Sequence, residues 1–432
     1  MSREQITIKG QLDPAYRLIL GLFALLTVTA FLLDTPREIT EGLWRIFSSR
    51  SILISDYAEI GGPGAMLINA VLVGLWSLGM LIRGGIKPTG AIIMGLWLVL
   101  GFAFFGKNVV NTIPLSIGVW LYVKLVRCPF KEVCLGTMLC ATISPIVSEI
   151  AHILPLPILP SLLIAGVVGV GIGIIFPPLA SSMGRVHGGY LLYSAGLAGG
   201  LVASLTAGIL RGGGLEILPE RYWSEAYTLP LAILMYVIAI AFALWGIFRG
   251  GADKWVQWKA MHKRDGMLPS DYLVDHGNIT YLNIGVLLAL STTATLLVGA
   301  PINGPMMGGI FCVAGFGALG KHVKNVVPIM LGALLGGLVH RNGIAHPSIL
   351  LALLFSTGLA PVAGVFGPVI GIIAGFLHIA IVSIIGELNS GLNLYNNGFA
   401  GGLLVITLVP VFAAFLKKRK ERKEQKNQER AC

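Results

Sequence analysis

The stretch GFAFFGKNVVNTIPLSIG at 101–118 decides how this chain is organised, because GFGALGKHVKNVVPIMLG at 315–332 repeats it. The two stretches are identical at eight of 18 positions and lie 214 residues apart. Three further pairs flank them in the same order: LINAVL at 67 with YLNIGV at 281, SDY at 55–57 with SDY at 270–272, and LYSAGLAGGL at 192–201 with LYNNGFAGGL at 394–403. Four matching pairs in one order indicate a tandem duplication of a unit of roughly 210 residues.

The composition places the chain in a membrane. Of its 432 residues, 55% are hydrophobic and only 12% are charged, whereas soluble domains carry about 25% charged residues. The net charge of +11 does not indicate nucleic-acid binding, because the tail 417–430 supplies eight of the 31 Lys and Arg residues. Such a tail is typical of a cytoplasmic anchor beside anionic lipid headgroups.

The apolar runs predict an all-α membrane protein of about 14 hydrophobic segments, seven in each copy. The runs are 15–33, 65–82, 89–105, 111–126, 132–152, 161–181 and 189–210, then 227–248, 279–299, 304–320, 325–340, 348–366, 367–386 and 394–416. Several of them, including 89–105, 304–320 and 325–340, are shorter than the roughly 20 residues of a full span. These three are predicted to be half-helices or re-entrant segments.

The distribution of Lys and Arg predicts the orientation. With the N-terminus inside and every run crossing, 24 of the 31 Lys and Arg residues fall inside, as the positive-inside rule requires. An odd number of crossings per copy makes the two copies inverted relative to each other. The predicted domains are 1–212 and 213–416, the second with a cytoplasmic loop 250–278, followed by the basic tail 417–432. We expect a multi-pass protein of the bacterial plasma (inner) membrane with both termini cytoplasmic.

Repeated polar residues within apolar runs are the candidate solute ligands. Asn69 and Asn283 occupy equivalent positions, and each amide could bind a solute or, alternatively, hold two helices together. In the repeated GK-N-P element, Asn111 and Asn325 follow Lys107 and Lys321. Glycine and proline there predict a break between half-helices whose ends bind ions. The two lysines are predicted on opposite faces, where they draw an anion into each vestibule or extend to lipid headgroups.

The last repeated element adds Tyr193 and Tyr395, together with the adjacent amides Asn396 and Asn397. Two amides in an apolar context point to a cavity lining, whereas the glycines beside them are typical of close helix contact. His378 is the one ionisable residue predicted near mid-span, either as a proton carrier or as a neutral buried histidine. No Asp or Glu is expected at such depth, which favours facilitated passage or an anionic substrate.

Enzyme signatures are missing from the sequence. It contains no GxxxxGK[ST], HExxH or GxSxG motif, and its five cysteines lack metal-ligand spacing. We therefore expect no enzyme activity, no catalytic residue, no metal and no cofactor. The expected partners are a small-molecule or ion solute and the lipid bilayer, without nucleic acid. A homo-oligomer is a further possibility that the sequence does not decide.

FFGKN, the SDY entry and LYNNGFAGG together resemble a family of uncharacterised bacterial multi-spanning proteins, a domain of unknown function that implies no substrate. The seven-plus-seven plan is also similar to the architecture of nucleobase and anion transporters. The resulting hypothesis is a transporter or channel for a small polar or anionic solute, with its site between the inverted copies near the midplane. The alternative is an integral membrane enzyme or an assembly protein without transport activity.

Overall fold

The computed structural model describes residues 7–8, 11–218 and 220–431, with side chains from residue 12 to 418 except 219, 416 and 417. Two short strands, Thr7–Ile8 and Gln11–Leu12, form a small antiparallel hairpin. All other regular structure in the described ranges is helical. The predicted tail 417–432 continues the last helix as far as Ala431, and its side chains other than Lys418 lie outside the described residues.

The first half of the chain contains ten α-helices. They are α1 Pro14–Leu33, α2 Pro36–Phe47, α3 Tyr57–Gly61, α4 Pro63–Arg83, α5 Gly90–Ala103, α6 Val109–Val126, α7 Cys134–Cys140, α8 Pro145–Ile153, α9 Ile158–Val186 and α10 Ser194–Gly212. Short 3-10 turns cover Phe130–Glu132 and Ala141–Ile143. The second turn interrupts the run predicted at 132–152, so that α7 and α8 form one broken helix.

The second half repeats this order helix by helix. Its elements are α11 Thr228–Arg249, α12 Lys254–Met261, α13 Tyr272–His276, α14 Thr280–Leu297, α15 Gly304–Gly315, α16 Val323–Val339, α17 Pro347–Phe355, α18 Ala360–Phe366, α19 Pro368–Leu388 and α20 Asn396–Ala431. Three 3-10 turns cover Gly277–Ile279, Phe316–Ala318 and Ser356–Leu359. The turn Ser356–Leu359 interrupts the predicted run 348–366 at the position where the turn Ala141–Ile143 interrupts the run 132–152.

Helix starts show the equivalence of the halves. The short helices α5 and α15 begin 214 residues apart, and so do α6 and α16. The separation falls to 202 residues at α10 and α20, and eight of the twelve residues lost arise because α9 has 29 residues whereas α19 has 21.

Membrane character is evident from helix length and composition. Among the described residues, eleven helical stretches are long and apolar enough to cross a bilayer, while Gly90–Ala103, Gly304–Ala318 and Val323–Val339 are apolar but shorter. Helix length and composition thus identify eleven candidate spans among the described residues, and the predicted count of fourteen is not confirmed. Exposed apolar side chains such as Val167, Leu229 and Phe248, which are 72%, 72% and 78% accessible, suit contact with lipid acyl chains. The chain is a multi-pass helical membrane protein.

Two of the short helices lie at the centre of the molecule. Every residue of α15 is buried, and so is every residue of α5 except Ala91. The two helices run antiparallel, because a Cβ added at Gly90 would lie 2.2 Å from the carbonyl oxygen of Ala318, and one at Gly304 would lie 2.3 Å from that of Phe104. The start of each short helix therefore abuts the end of the other.

Candidate functional site

The two SDY motifs connect the halves at the starts of these short helices. The Asp56 carboxylate accepts hydrogen bonds from the backbone N–H groups of Gly304 at 3.0 Å and Ser224 at 2.9 Å. In the reverse direction, Asp271 accepts from the N–H of Gly90 at 2.8 Å. Each aspartate thus caps the short helix of the other half, which satisfies N–H groups that the helix itself leaves without acceptors.

The breaks that end the short helices are held by the repeated asparagines. Asn69 donates to the carbonyl of Lys107 at 2.9 Å, and Asn283 donates to the carbonyl of Lys321 at 2.7 Å. Each also donates to a second carbonyl, four residues earlier in the chain. Both asparagines are fully buried. Their side-chain nitrogens hold one helix to the next by hydrogen bonds, and neither residue lines the two cavities described below.

The asparagines of the GK-N-P element support the turn that follows. Asn111 donates to the carbonyl of Gly106 at 3.1 Å, and Asn325 donates to that of Gly320 at 2.9 Å. Gly106 has a φ of +73°, in the region that favours glycine. The four repeated asparagines therefore all bond the backbone around the two breaks.

Tyr193 and Tyr395 meet where the halves cross. Their ring centroids are 4.5 Å apart, and each tyrosine immediately precedes a helix, α10 or α20. Behind the tyrosines the two helices approach so closely that a Cβ added at Gly196 would lie 2.8 Å from the Cα of Gly398. Close backbone contact of this kind requires glycine.

The residues just before these tyrosines are bonded to the broken helix of the opposite half. The N–H of Leu192 donates to the carbonyl of Gly358 at 3.0 Å, and the N–H of Leu394 donates to that of Thr142 at 2.9 Å. These contacts are images of each other under exchange of the halves. The arrangement brings two broken helices and the starts of α10 and α20 to one place.

Two cavities lead to this place. The first, of about 670 Å³, is lined by Leu135, Leu139, Leu192, Ser194, Ala195, Leu268 and Pro269 among others. The second, of about 630 Å³, is lined by the equivalent residues Leu351, Phe355, Leu394, Asn396, Asn397, Leu53 and Ile54. The duplication thus builds one cavity twice, and the predicted pair Asn396 and Asn397 lines the second.

The cavities lie at opposite ends of α10. Ser194 at its start lines the first cavity, and Arg211 near its end lines the second. These two residues are about 26 Å apart along the helix, at 1.5 Å per residue. Exposed Arg264 and Asp275 form an ion pair of 2.8 Å at the first cavity, and this contact raises the pKa of Arg264.

A thin septum separates the cavities. Leu394 lines the second cavity, whereas its neighbour Tyr395 lines the first, together with Tyr193. Tyr395 also packs edge-on against Phe102 and Phe355, with centroid distances of 5.1 and 6.0 Å. Aromatic packing therefore closes the path between the two cavities in this structure.

The two lysines lie elsewhere than predicted. Lys107 is 1% exposed and Lys321 is 0% exposed, so neither stands on an outer face and neither extends to headgroups. The Lys321 ammonium donates to the hydroxyl of Tyr193 at 2.5 Å and to that of Thr357 at 2.7 Å. The prediction of a lysine at the mouth of each vestibule is wrong, because the preceding break carries both side chains into the protein interior.

Buried acidic residues were missed by the sequence analysis. Asp56 and Glu149 are both 0% exposed, so two carboxylates lie inside the protein, whereas the prediction concerned only carboxylates near mid-span. Glu149 is paired with Arg50 at 2.5 Å, and Arg50 comes from a loop 99 residues earlier. The recurrence of SDY was the signal for Asp56, whereas no local pattern marks the partner of Glu149.

His378 is buried and shares a hydrogen bond of 2.9 Å with the side-chain oxygen of Asn397. Asn396 accepts a hydrogen bond of 2.8 Å from Asn389. Asn396 and Asn397 thus give the second cavity a polar end. In the first cavity the equivalent residues are Ser194 and Ala195, of which only the serine is polar.

Antiparallel central helices, broken helices and two cavities closed by one septum define this chain as a polytopic membrane protein built from two similar halves. It belongs to the family described as "Protein of unknown function (DUF1576)", which it matches over residues 35–212 and 253–414. The matched ranges run from the end of the loop before α2 to α10 and from just before α12 into α20. Comparisons with curated proteins and with solved structures gave no match.

Proposed function

We propose that this protein is a transporter for a small polar solute, which it passes between the two cavities by alternating access. The observation that carries this proposal is the pairing of the cavities. Seven lining residues of one cavity have their sequence equivalents in the other, and volumes of 670 and 630 Å³ fall within the range of small-molecule sites. An architecture that offers the same entry at both ends suits a solute that enters from either side.

The two halves are proposed to lie inverted in the membrane. Antiparallel packing of α5 against α15 supports this, and so do the exchanged caps of Asp56 and Asp271. A two-fold axis that exchanges two antiparallel helices is perpendicular to them. If α5 and α15 lie along the membrane normal, that axis lies in the membrane plane, which is the arrangement of inverted-repeat transporters.

The septum favours a carrier over an open pore. Both tyrosines line the first cavity and neither lines the second, so access to the tyrosine pair is one-sided. Exchange of the halves would place both tyrosines on the second cavity instead, with the first cavity closed off from them. The proposed transport step is this exchange, in which small movements at the Gly196–Gly398 contact open one cavity as the other closes.

The proposed location is the bacterial plasma membrane, with both termini in the cytoplasm. The positive-inside count supports this orientation even when buried Lys107 and Lys321 are left out, since that removes one residue from each side. The first cavity, which adjoins the loop 250–278, would then face the cytoplasm. We propose no enzyme activity and no cofactor for the septum region.

Flux into proteoliposomes tests the proposal. The purified protein should move at least one solute from a panel of radiolabelled amides, sugars, nucleobases and small organic and inorganic anions. Tyr395→Ala should join the cavities and convert saturable carrier transport into a leak that no longer saturates with solute concentration. Tyr236→Ala is the matched control, because its hydroxyl bonds Thr293 on a distant helix pair. Absence of flux across the whole panel would refute transport and favour the membrane enzyme or assembly protein.

A further inference from the structure

The buried charges of this protein are unequally compensated. Four Asp, Glu, Lys or Arg side chains in the described part of the chain are buried: Asp56, Lys107, Glu149 and Lys321. Asp56 accepts three backbone N–H groups, and Glu149 is paired with Arg50. Neither lysine is paired with a carboxylate within the described residues. Removing an unpaired ammonium from water is costly, and a protein interior rarely retains one without a counter-charge.

Lys321 lies directly behind the lining of the first cavity, next to the septum. Its nitrogen lies 4.6 Å from the ring centroid of Tyr193 and 4.9 Å from that of Phe316, both of which line the first cavity. Two hydroxyls, from Tyr193 and Thr357, accept its hydrogen bonds. An ammonium has three donors, so this arrangement satisfies two of them and leaves the charge without an opposite partner.

Lys107 is the counterpart on the side of the second cavity. A Cβ added at the preceding Gly106 would lie 2.3 Å from Leu394, which lines that cavity. Within the described residues its ammonium donates no hydrogen bond to another group. Thr142, in the adjacent broken helix, likewise has a buried hydroxyl without a partner. A lysine amine that donates no hydrogen bond and a buried hydroxyl without a partner are both groups that an anionic ligand would satisfy.

We infer that the solute is a small anion, and that Lys321 and Lys107 supply its positive counter-charge in turn as access passes from the first cavity to the second. This assignment rests on the proposed transport function and specifies its substrate class. Backbone N–H groups at the starts of α10 and α20 also favour an anion at this place, because helix N-termini attract negative charge. An inorganic anion or a short carboxylate would suit this chemistry, since either can accept from an ammonium and a hydroxyl together.

Anion-dependent stabilisation of the full-length protein in detergent tests the assignment independently of transport. The thermal unfolding midpoint is measured in sodium nitrate, acetate or inorganic phosphate against sodium gluconate at equal ionic strength. At least one anion should raise the midpoint of the wild-type protein, and Lys321→Met should weaken its apparent affinity by about tenfold or more, as for loss of a charged hydrogen-bond donor. Lys324→Met, at an exposed position three residues later at the start of α16, should retain the wild-type response.

Two companion measurements keep the outcomes separate. Lys107→Met should also weaken the response, and Lys321→Arg, which keeps the charge, should restore part of it in case the methionine variant folds poorly. If the anion stabilises the wild-type protein and both methionine variants lose this response, the anion site is supported even when liposomes show no flux. Absence of flux would then reject only the transport proposal. Flux confined to neutral solutes, or a midpoint shift unchanged in Lys321→Met, would overturn the anion assignment and leave the transporter proposal standing.

Discussion

Replacement of Asp56 by alanine should destabilise this protein more than any exposed carboxylate replacement, because Asp56 joins the two halves inside the molecule. Its carboxylate accepts three N–H groups at 2.9–3.0 Å, from Ala58, Ser224 and Gly304. Alanine would leave three donors in a site with no access to water. Each orphaned buried donor costs about 1–3 kcal/mol, so the expected loss is roughly 5 kcal/mol.

The equivalent replacement in the other half should cost less. Asp271 also bonds three N–H groups, of Gly90, Ala91 and Val274, but it is only half-buried. Water can reach part of that site once the carboxylate is gone, so we expect a loss of roughly 2 kcal/mol. Asp275→Ala is the matched control, because its ion pair with Arg264 is exposed and such pairs contribute about 0–1 kcal/mol.

Reversible unfolding in mixed micelles, followed by tryptophan fluorescence as the denaturing detergent fraction rises, measures these differences. The expected order of stability is wild type, then Asp275→Ala, then Asp271→Ala, then Asp56→Ala. Asp56→Asn should fall between Asp56→Ala and the wild type, because the amide keeps one acceptor oxygen. An Asp56→Ala protein as stable as Asp275→Ala would refute the view that exchanged caps hold the halves together.

Three further predictions concern orientation, helix contact and the central breaks. In a chain whose native cysteines are serine, a membrane-impermeant maleimide should reach Thr40→Cys and Lys259→Cys, both exposed, from opposite sides of the membrane; labelling from one side would reject inversion. Gly196→Ala should lower the unfolding midpoint, because the new Cβ would lie 2.9 Å or less from the facing backbone and overpacking costs about 1–3 kcal/mol, whereas Gly208→Ala, with nothing within 4 Å, should match the wild type. Asn283→Ala should cost roughly 2 kcal/mol in the same unfolding assay, since two buried carbonyls lose their donor. An unaffected protein would show that the break does not depend on this amide.

Much of the helical plan could be predicted because apolar runs and internal repeats are local signals. The short runs at 89–105 and 304–320 correspond to short helices α5 and α15. Breaks inside the runs 132–152 and 348–366 were not predicted, although Pro145 and Pro361 follow short Ser- and Thr-containing stretches there, because the runs are apolar enough overall to read as single spans. The breaks are decided by contacts, such as those of Thr142 and Gly358 with the opposite half.

The candidate site was predicted unevenly for the same reason. Tyr193, Tyr395, Asn396 and Asn397 line the cavities, whereas the four asparagines of the other repeated elements bond the backbone near the breaks. A repeated amide in an apolar run signals that a partner exists, but the partner's identity depends on which chain segment lies opposite. Lys321 illustrates the point, because its partners Tyr193 and Thr357 are 128 and 36 residues away.

The sequence by itself determined that this is a duplicated, membrane-embedded helical protein, because hydropathy and repetition are properties of the chain that no folding can alter. Only the tertiary structure decided that the SDY aspartates cap the opposite half, that two equivalent cavities stop at one pair of tyrosines, and that both lysines are buried. Those features depend on packing between segments roughly 100 to 250 residues apart, and the physical reason is that a buried polar group takes whichever partner the fold brings within hydrogen-bond distance.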